Sequence, residues 1–235
     1  VIMGYIRLFF KQSLSINLNS KLDKSQSHYI FKVMRMNEGQ SFSLFNDSGE
    51  WEAKIKEINK GIVDFVIVKK LRSKNNSSEI WLAFTPIKLN YLNFMIQKAT
   101  ELGVTKFIPI LSERTIVRNI NEKRIKKIII EASEQCNRIN IPSLDKLISF
   151  DQFLKLHKNT NIVFGDLNSN NSKIKYDKKK PMCVLIGPEG DFSEKERDKI
   201  LGLNNICSLK FNDNILRTET AAISMISILN FNLLP

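Results

Sequence analysis

Two short stretches place glycine, proline and charged residues directly after apolar runs, a pattern typical of ligand-binding loops in α/β proteins. The first follows the apolar run 182–186 and reads Gly187-Pro188-Glu189-Gly190-Asp191. The second follows the apolar run 206–211 and reads Ile215-Leu216-Arg217-Thr218-Glu219-Thr220-Ala221. Glycine leaves main-chain N–H and C=O groups open to a ligand, because no side chain covers them. Together the stretches predict a crevice in which the main chain binds a small molecule, although either one alone is also typical of an ordinary turn.

The elements around these stretches follow from apolar periodicity. Ser193 and Glu196 have the spacing of a capping box, which predicts that a helix begins there. Gly165 and Asp166 follow another apolar run, so we expect a third loop at the same crevice. Further strands are predicted over 80–84, 106–111 and 162–164, and further helices from Asn90 to about Leu102 and from Glu122 through Arg138. Because strands alternate with helices, the fold class is α/β with a parallel sheet.

The N-terminal part has a different pattern. Alternating apolar residues with turns at 47–49 and 59–61 predict consecutive hairpins, and the spacing of Ile30, Val33 and Met34 predicts a small helix beside them. This combination predicts a compact β-barrel. The polar residues 73–78 read as a linker, so we predict one domain over 1–73 and a second over 74–235.

The charge composition of the chain indicates which classes of partner it favours. The chain has 36 Lys and Arg against 24 Asp and Glu, a net charge of +12, and a pI of about 9.6. This excess favours nucleic acid as a partner and an anionic membrane surface second, while a lysine-rich proteome is the alternative explanation. The run Lys178–Lys180 is either an RNA contact or, more simply, a solvated loop.

Several other classes are disfavoured by the sequence. Three cysteines without CxxC spacing and two isolated histidines predict neither disulfides nor a metal site. We expect no signal peptide and no membrane span, and hence a cytoplasmic protein. A nucleoside triphosphate is disfavoured because the chain has no Gly-Lys-Ser/Thr phosphate loop.

Four segments resemble the signatures of one known family. They are Ile186-Gly187-Pro188-Glu189-Gly190, Leu216–Ala221, Gln97–Val104 and the Glu-Ala-x-x-Gln-x-x-Arg spacing of 131–138. These segments are similar to those of the ribosomal RNA small subunit methyltransferase E family. The resemblance implies a SPOUT-type trefoil-knotted parallel sheet with helices on both faces, preceded by a PUA-like β-barrel. It also implies S-adenosyl-L-methionine as cofactor, methylation of N3 of a uridine in 16S rRNA of the small ribosomal subunit, and a homodimer.

The resemblance also implies the site residues. Arg217 would stabilise a developing uridine anion or orient the donor's carboxylate. Glu189 or Glu219 would accept the N3 proton or cap helix N–H groups, and for Glu219 we favour the structural role. The implied cofactor-binding residues are Phe164, Gly165, Leu185, Ile186, Gly187, Pro188, Glu189, Gly190, Ile215, Leu216, Arg217, Thr218, Thr220 and Ala221.

Four arginines are candidate RNA contacts, namely Arg7, Arg35, Arg114 and Arg138. For Arg7 and Arg35, local salt bridges or solvated side chains are the alternative. Glu131, Gln135 and Arg138 would share one helix face, which could line a base pocket or form a seam between helices.

Two departures from the family pattern bear on the site. Asp191 stands where the family usually has glycine, which adds a Cβ atom and a negative charge beside the pocket. Phe211-Asn212-Asp213-Asn214 stands where the family usually has a Leu-Gly segment before the last loop, and asparagine can take the left-handed conformation that glycine allows. The alternatives to 16S rRNA methylation are a SPOUT enzyme for tRNA or 23S rRNA and a non-catalytic RNA-binding assembly factor.

Overall fold

In the computed structural model, which describes residues 6–74, 79–171, 174, 176–177 and 180–233, the N-terminal sequence forms a five-stranded sheet. The predicted linker residues 75–78 and two residues of the Lys178–Lys180 run, Lys178 and Lys179, lie outside the described residues. The chain divides into one unit of 1–76 with 133–141 and another of 77–132 with 142–235. The first unit thus includes a segment that the predicted boundary at residue 73 leaves in the second domain.

The first unit contains the predicted hairpins. The elements are β1 (Arg7–Phe9), β2 (Asn19–Lys21), α1 (Lys24–His28), β3 (Ser41–Asn46), β4 (Gly49–Asn59) and β5 (Ile62–Arg72). The sheet has the order β1-β3-β4-β5-β2, and α1 continues into a π-helical turn at 29–33. Alternate residues of the long strands, such as Ala53, Ile55 and Phe65, are fully or almost fully buried. The period-two pattern therefore gives this unit its own apolar core.

The second unit is built on a sheet whose strands all run parallel. The elements are β6 (Ile80–Phe84), α2 (Leu89–Glu101), β7 (Lys106–Leu111), α3 (Glu122–Gln135), β8 (Ser143–Leu144), β9 (Ile148–Ser149), α4 (Phe150–Leu156), β10 (Asn161–Gly165), β11 (Met182–Ile186), α5 (Glu194–Leu201), β12 (Ile206–Leu209) and α6 (Thr218–Leu233). The strand order is β12-β10-β11-β6-β7-β8, and β9 also pairs with β7. The predicted α/β class with a parallel sheet is confirmed.

Both faces of the parallel sheet are covered, as its continuous apolar strands predict. Phe153 of α4 and Ile200 of α5 pack in one cluster with Cys183 and Leu185 of the central strand. On the other side, α6 packs against β11 and against α2. Among the described residues, no helix combines the length and apolar character needed to cross a membrane.

The ends of α2 and α5 test the helix boundaries predicted from local sequence signals. Ser193 and Glu196 form the predicted capping box at the start of α5. Gly103 has a φ of +94° just after α2, as predicted for a helix stop. Asn90 was expected to cap α2, but the helix begins at Leu89 with Lys88 before it, so that prediction is wrong.

Candidate functional site

Three adjacent strands bring three loops to one edge of the parallel sheet. Strand β10 lies between β11 and β12, with Phe164 opposite Leu185 and Gly165 opposite Leu209. Because these strands are parallel and in register at their carboxyl ends, the loops that follow them are neighbours. This is the edge at which open α/β sheets bind ligands.

The three loops and the start of α6 line one cavity of about 250 Å³. Its walls combine buried apolar side chains with exposed main chain and a few polar groups. The lining residues are Phe164, Gly165, Asp166, Leu167, Asn168, Leu185, Ile186, Gly187, Pro188, Glu189, Asp191, Phe211, Asn212, Asn214, Ile215, Leu216, Thr218, Ala221 and Met225. We call this space the first cavity.

Most residues expected at the cofactor are brought together here. Phe164, Gly165, Leu185, Ile186, Gly187, Pro188, Glu189, Ile215, Leu216, Thr218 and Ala221 all line the first cavity. Gly190, Arg217 and Thr220 do not line it. Arg217 lines an adjoining space instead, and Thr220 is exposed on the first turn of α6.

Several wall residues were not predicted from the sequence. Leu167, Asn168, Phe211 and Asn212 extend the predicted loops by one to four positions, so a wider window would have included them. Met225 lies four residues after Ala221, which places both on one face of α6. Helical periodicity was therefore the available signal for Met225.

Two glycines allow close packing at the wall of the first cavity. A Cβ atom on Gly165 would lie 2.7 Å from the ring of Phe211 and 2.9 Å from the sulfur of Met225. A Cβ atom on Gly187 would lie 3.0 Å from the ring of Phe192. The loops can approach one another because these two positions carry no side chain.

Asp191 adopts the backbone conformation that glycine usually supplies. Its φ is +59°, in the left-handed region that is costly for most side chains but tolerated by aspartate and asparagine. Its N–H donates to the Pro188 carbonyl at 2.9 Å, and its Oδ1 accepts the N–H of Phe192 at 2.7 Å. The local hydrogen bond explains how aspartate replaces glycine here without opening the turn.

A second loop supports the Gly187–Asp191 loop from outside. Nη1 of Arg114 donates to the carbonyl oxygen of Gly190 at 2.9 Å, and the N–H of Glu113 donates to Oε1 of Glu196 at 2.9 Å. Arg114 remains exposed. The structure therefore assigns part of this guanidinium to loop support, and its predicted RNA contact stays a prediction.

The electrostatic character of the first cavity is acidic. Asp166, Glu189 and Asp191 contribute carboxylates, and none of the described lining residues is a lysine or arginine. Asp166 is neutralised by Arg197, whose Nη2 lies 2.5 Å from Oδ2 of the carboxylate. Such walls suit a flat neutral base and a cationic group better than a phosphate.

Arg217 lies close to an aromatic ring and two carboxylates. The carbon centre of its guanidinium is 5.3 Å from the centre of the Tyr91 ring. A hydrogen bond with Tyr91 raises the pKa of Arg217, and the charges of Glu219 and Glu189 raise it further. Glu219 is 9% exposed at the start of α6.

The first unit contains three of the predicted RNA contacts, Arg7, Arg35 and Arg138, and the structure corrects the role of Arg7. The Arg7 side chain is 8% exposed. It bonds both carboxylate oxygens of Glu50 and the carbonyls of Ser133, Glu134 and Arg138. A guanidinium so enclosed cannot reach a phosphate, so the local salt bridge is the correct interpretation for Arg7.

Arg138 and Arg35 differ from Arg7 and from each other. Helix α3 ends at Gln135 and Asn137 has a φ of +63°, so Arg138 does not extend the predicted polar helix face. Burial lowers the pKa of Arg138. Arg35 is exposed, with a φ of +54°, just after the π-helical turn. Turns of this kind often occur at functional sites.

Comparisons with known proteins agree with this architecture. A family model described as an RNA methyltransferase domain matches residues 74–230, and one described as an RNA methyltransferase PUA domain matches residues 22–68. The chain is 31% identical to ribosomal RNA small subunit methyltransferase E of Rickettsia conorii, with 96% of this chain and 95% of that protein aligned. It is 36% identical to the protein of the same name from Buchnera aphidicola subsp. Schizaphis graminum, over 95% and 94% of the two chains.

Two solved structures extend the comparison. A methyltransferase of Legionella pneumophila in complex with its cofactor S-adenosylmethionine is 30% identical, with a TM-score of 0.85 and 98% of each chain covered. Ribosomal RNA small subunit methyltransferase E of Neisseria gonorrhoeae, bound to S-adenosylmethionine, gives a TM-score of 0.89 at 24% identity, over 97% of this chain and 98% of that chain. The latter shows the shared fold.

Proposed function

Because the chain belongs to the ribosomal RNA small subunit methyltransferase E family, we propose that it methylates N3 of one uridine in 16S rRNA of the small ribosomal subunit. The chain is an S-adenosylmethionine-dependent rRNA methyltransferase; the target atom and nucleotide are the proposed part. The observation that carries the proposal is the meeting of three strand-end loops at one cavity whose walls combine apolar side chains with carboxylates.

The residues of the first cavity fit the cofactor. Phe164, Leu185 and Leu216 offer apolar walls for a flat adenine, and the loop from Gly187 offers main-chain hydrogen bonds. The carboxylates of Glu189 and Asp191 favour a positively charged ligand over a phosphate. When bound, S-adenosylmethionine supplies an electrophilic methyl group on a sulfonium.

The chain's own residues must prepare the nucleophile. Uridine N3 carries a proton that has to leave before or during attack, which calls for a base and for stabilisation of the resulting anion. We assign Arg217 to the anion, because its side chain is exposed and cationic beside the first cavity. We assign Glu189 to the proton, because it lines both the first cavity and the space beside Arg217.

RNA binding rests on charge and on particular exposed side chains. The net charge of +12 favours a polyanion. In the first unit, Arg35 follows a turn on which Tyr29 is exposed and Lys32 lies 4.5 Å from the centre of the Phe31 ring. Cations next to aromatic rings suit the phosphates and unstacked bases of RNA. We therefore keep Arg35 as an RNA contact and place the enzyme in the cytoplasm with its substrate.

We also propose a homodimer. Ile215, just before α6, is 88% exposed, and Phe231, near the end of that helix, is 78% exposed. Large apolar side chains so exposed favour burial against a second copy of the chain. Light scattering of the purified protein tests this, and a monomeric mass at micromolar concentration would contradict it.

Methylation assays test the proposal as a whole. The protein is incubated with methyl-labelled S-adenosylmethionine and with 16S rRNA, assembled small subunits, 23S rRNA or tRNA, all from cells that lack the enzyme. We expect label in 16S rRNA or in the small subunit, recovered as 3-methyluridine after digestion to nucleosides. Label only in tRNA or 23S rRNA would overturn the target. Calorimetry that detects no cofactor binding by folded protein would favour the assembly factor.

A further inference from the structure

A second cavity adjoins the first. Its volume is about 390 Å³, and its wall consists of Lys88, Tyr91 and Glu219 together with residues of the two key loops. Five residues line both cavities, namely Pro188, Glu189, Ile215, Leu216 and Thr218. The two spaces therefore meet along one shared wall, and a group held in the second cavity lies next to a ligand held in the first.

The wall of the second cavity differs in character from that of the first. It carries two cations, Lys88 and Arg217, where the described lining of the first cavity has none. It also carries an aromatic ring, Tyr91, with the guanidinium of Arg217 5.3 Å from the ring centre. An aromatic ring beside cations is how proteins hold single nucleotides, since the ring stacks on the base and the cations face its phosphate.

We propose that the second cavity binds the target uridine. Its uracil packs against the ring of Tyr91, and Glu189 lies at N3. Lys88 and Arg217 face the negatively charged groups of the nucleotide. This inference rests on the proposed function and deepens it by naming the substrate subsite. Neither Lys88 nor Tyr91 was expected at the site from sequence. The ligand class is a single flipped-out pyrimidine nucleotide of RNA, because the space is small and Tyr91 is the one aromatic ring among the described residues that line it.

The positions of Glu189 and Glu219 in the two cavities indicate that Glu189 receives the N3 proton. Glu189 lines both cavities, whereas Glu219 lines only the second and is 9% exposed. When N3 loses its proton, the N–H bond breaks, its electron pair stays on the uracil ring, and the proton passes to the Glu189 carboxylate and then to water. The uracil anion spreads onto its carbonyl oxygens, which the guanidinium of Arg217 stabilises.

A matched pair of variants on α2 tests the subsite. Tyr91 lines the second cavity, while Phe94, one turn further along the same helix and 46% exposed, does not line it. We expect Y91A to lower kcat/KM for the RNA by about 5- to 150-fold, the range for loss of one base-stacking contact. The Kd for S-adenosylmethionine should stay within about twofold, and F94A should behave like wild type in both assays.

A second measurement locates the base directly. The protein is crosslinked to 16S rRNA transcribed with 4-thiouridine, and the modified peptides are mapped by mass spectrometry. Crosslinks at residues 88–91 or 215–219 support the subsite even if no methyl transfer is detected, in which case the proposed function alone fails. Methyl transfer with normal Y91A kinetics, or crosslinks confined to other regions, overturns the subsite and leaves the function standing. Equal loss of cofactor affinity in Y91A also overturns it.

Discussion

Nη2 of Arg197 lies 2.5 Å from Oδ2 of Asp166, so α5 holds the loop that follows β10. The same oxygen accepts the hydroxyl of Ser208 at 3.0 Å, and Oδ1 accepts the N–H of Asn168 at 3.0 Å. Asp166 is 8% exposed and lines the first cavity. Both of its oxygens are thus bonded within the protein, which makes Asp166 a support of the cavity wall.

Removal of this pair should weaken cofactor binding. We expect R197M to leave the Asp166 carboxylate without its cation, to lower the free energy of unfolding by about 1–3 kcal/mol and to raise the Kd for S-adenosylmethionine. The matched control is K199M on the same helix, because Lys199 and Asp151 form an exposed pair. Exposed pairs contribute at most about 1 kcal/mol. Calorimetry and denaturant melts measure both quantities, and equal effects of the two variants would refute the assignment.

The sequence predicted the elements and loops that local signals specify. The capping box at Ser193, the stop at Gly103 and the turns at Gly49 and Gly61 all depend on residues close together in the chain. Apolar runs bounded by such signals also predicted the parallel sheet. The meeting of three strand ends then follows from topology, so most of the first cavity was predictable.

Roles that depend on long-range contacts were not predictable. Arg7 bonds Glu50, 43 residues away, and the carbonyl of Ser133, 126 residues away, and no local pattern encodes those partners. Arg197 likewise bonds Asp166 across 31 positions. Tyr91 joins the second cavity only because α2 packs against α6. The trefoil knot stays a prediction.

Glu50 should be a main stabilising residue of the first unit. Glu50 is 5% exposed as a whole residue. Its carboxylate bonds Arg7 at 2.9 Å and Arg72 at 2.6 Å. We expect E50Q to lower the free energy of unfolding by about 2–4 kcal/mol, because it leaves the enclosed guanidinium of Arg7 without its anion. E52Q is the control, since the Lys69 partner of Glu52 is well exposed. Thermal melts compare the two, and a cost for E50Q no larger than for E52Q would contradict this role.

The same carboxylate predicts sensitivity to acid. Burial alone would raise the pKa of Glu50, but hydrogen bonds and charge from Arg7 and Arg72 outweigh it and hold the pKa below its usual value. Stability from a lowered pKa is present above the pKa of the unfolded chain and is lost as the pH falls through the folded value. Wild type should therefore lose stability below about pH 4.5, and E50Q should lose less over the same range.

Asp191 allows the turn geometry to be tested separately from side-chain chemistry. D191G removes the hydrogen bond to Phe192 but also removes the strain of a side chain at positive φ. We therefore expect the free energy of unfolding to change by no more than about 1 kcal/mol. D191A keeps a Cβ atom at a φ of +59° without the compensating bond and should cost about 1–2 kcal/mol. Urea titrations rank the two variants. A D191A protein as stable as D191G would show that the turn adopts another conformation.

His157 should make the second unit sensitive to mild acid. Its ring lies 4.9 Å from that of Phe153 and 5.7 Å from that of Trp81. Burial lowers the pKa of His157, the charge of Lys106 lowers it further, and Asp145 opposes them. A lowered histidine pKa means that the unfolded chain binds the proton first, so stability is complete at neutral pH and falls as the pH drops below about 6.5.

Denaturant melts of the wild-type protein and H157F between pH 5 and 8 measure this dependence. Phenylalanine keeps a ring in the same apolar contacts but cannot be protonated, so H157F should retain more of its neutral-pH stability at pH 5.5 than wild type does. Above pH 7.5 the free energy of unfolding should depend on pH most similarly in the two proteins, because the wild-type histidine is neutral in both the folded and the unfolded state. Parallel pH profiles for the two proteins across the whole range would show that His157 does not cause the acid sensitivity.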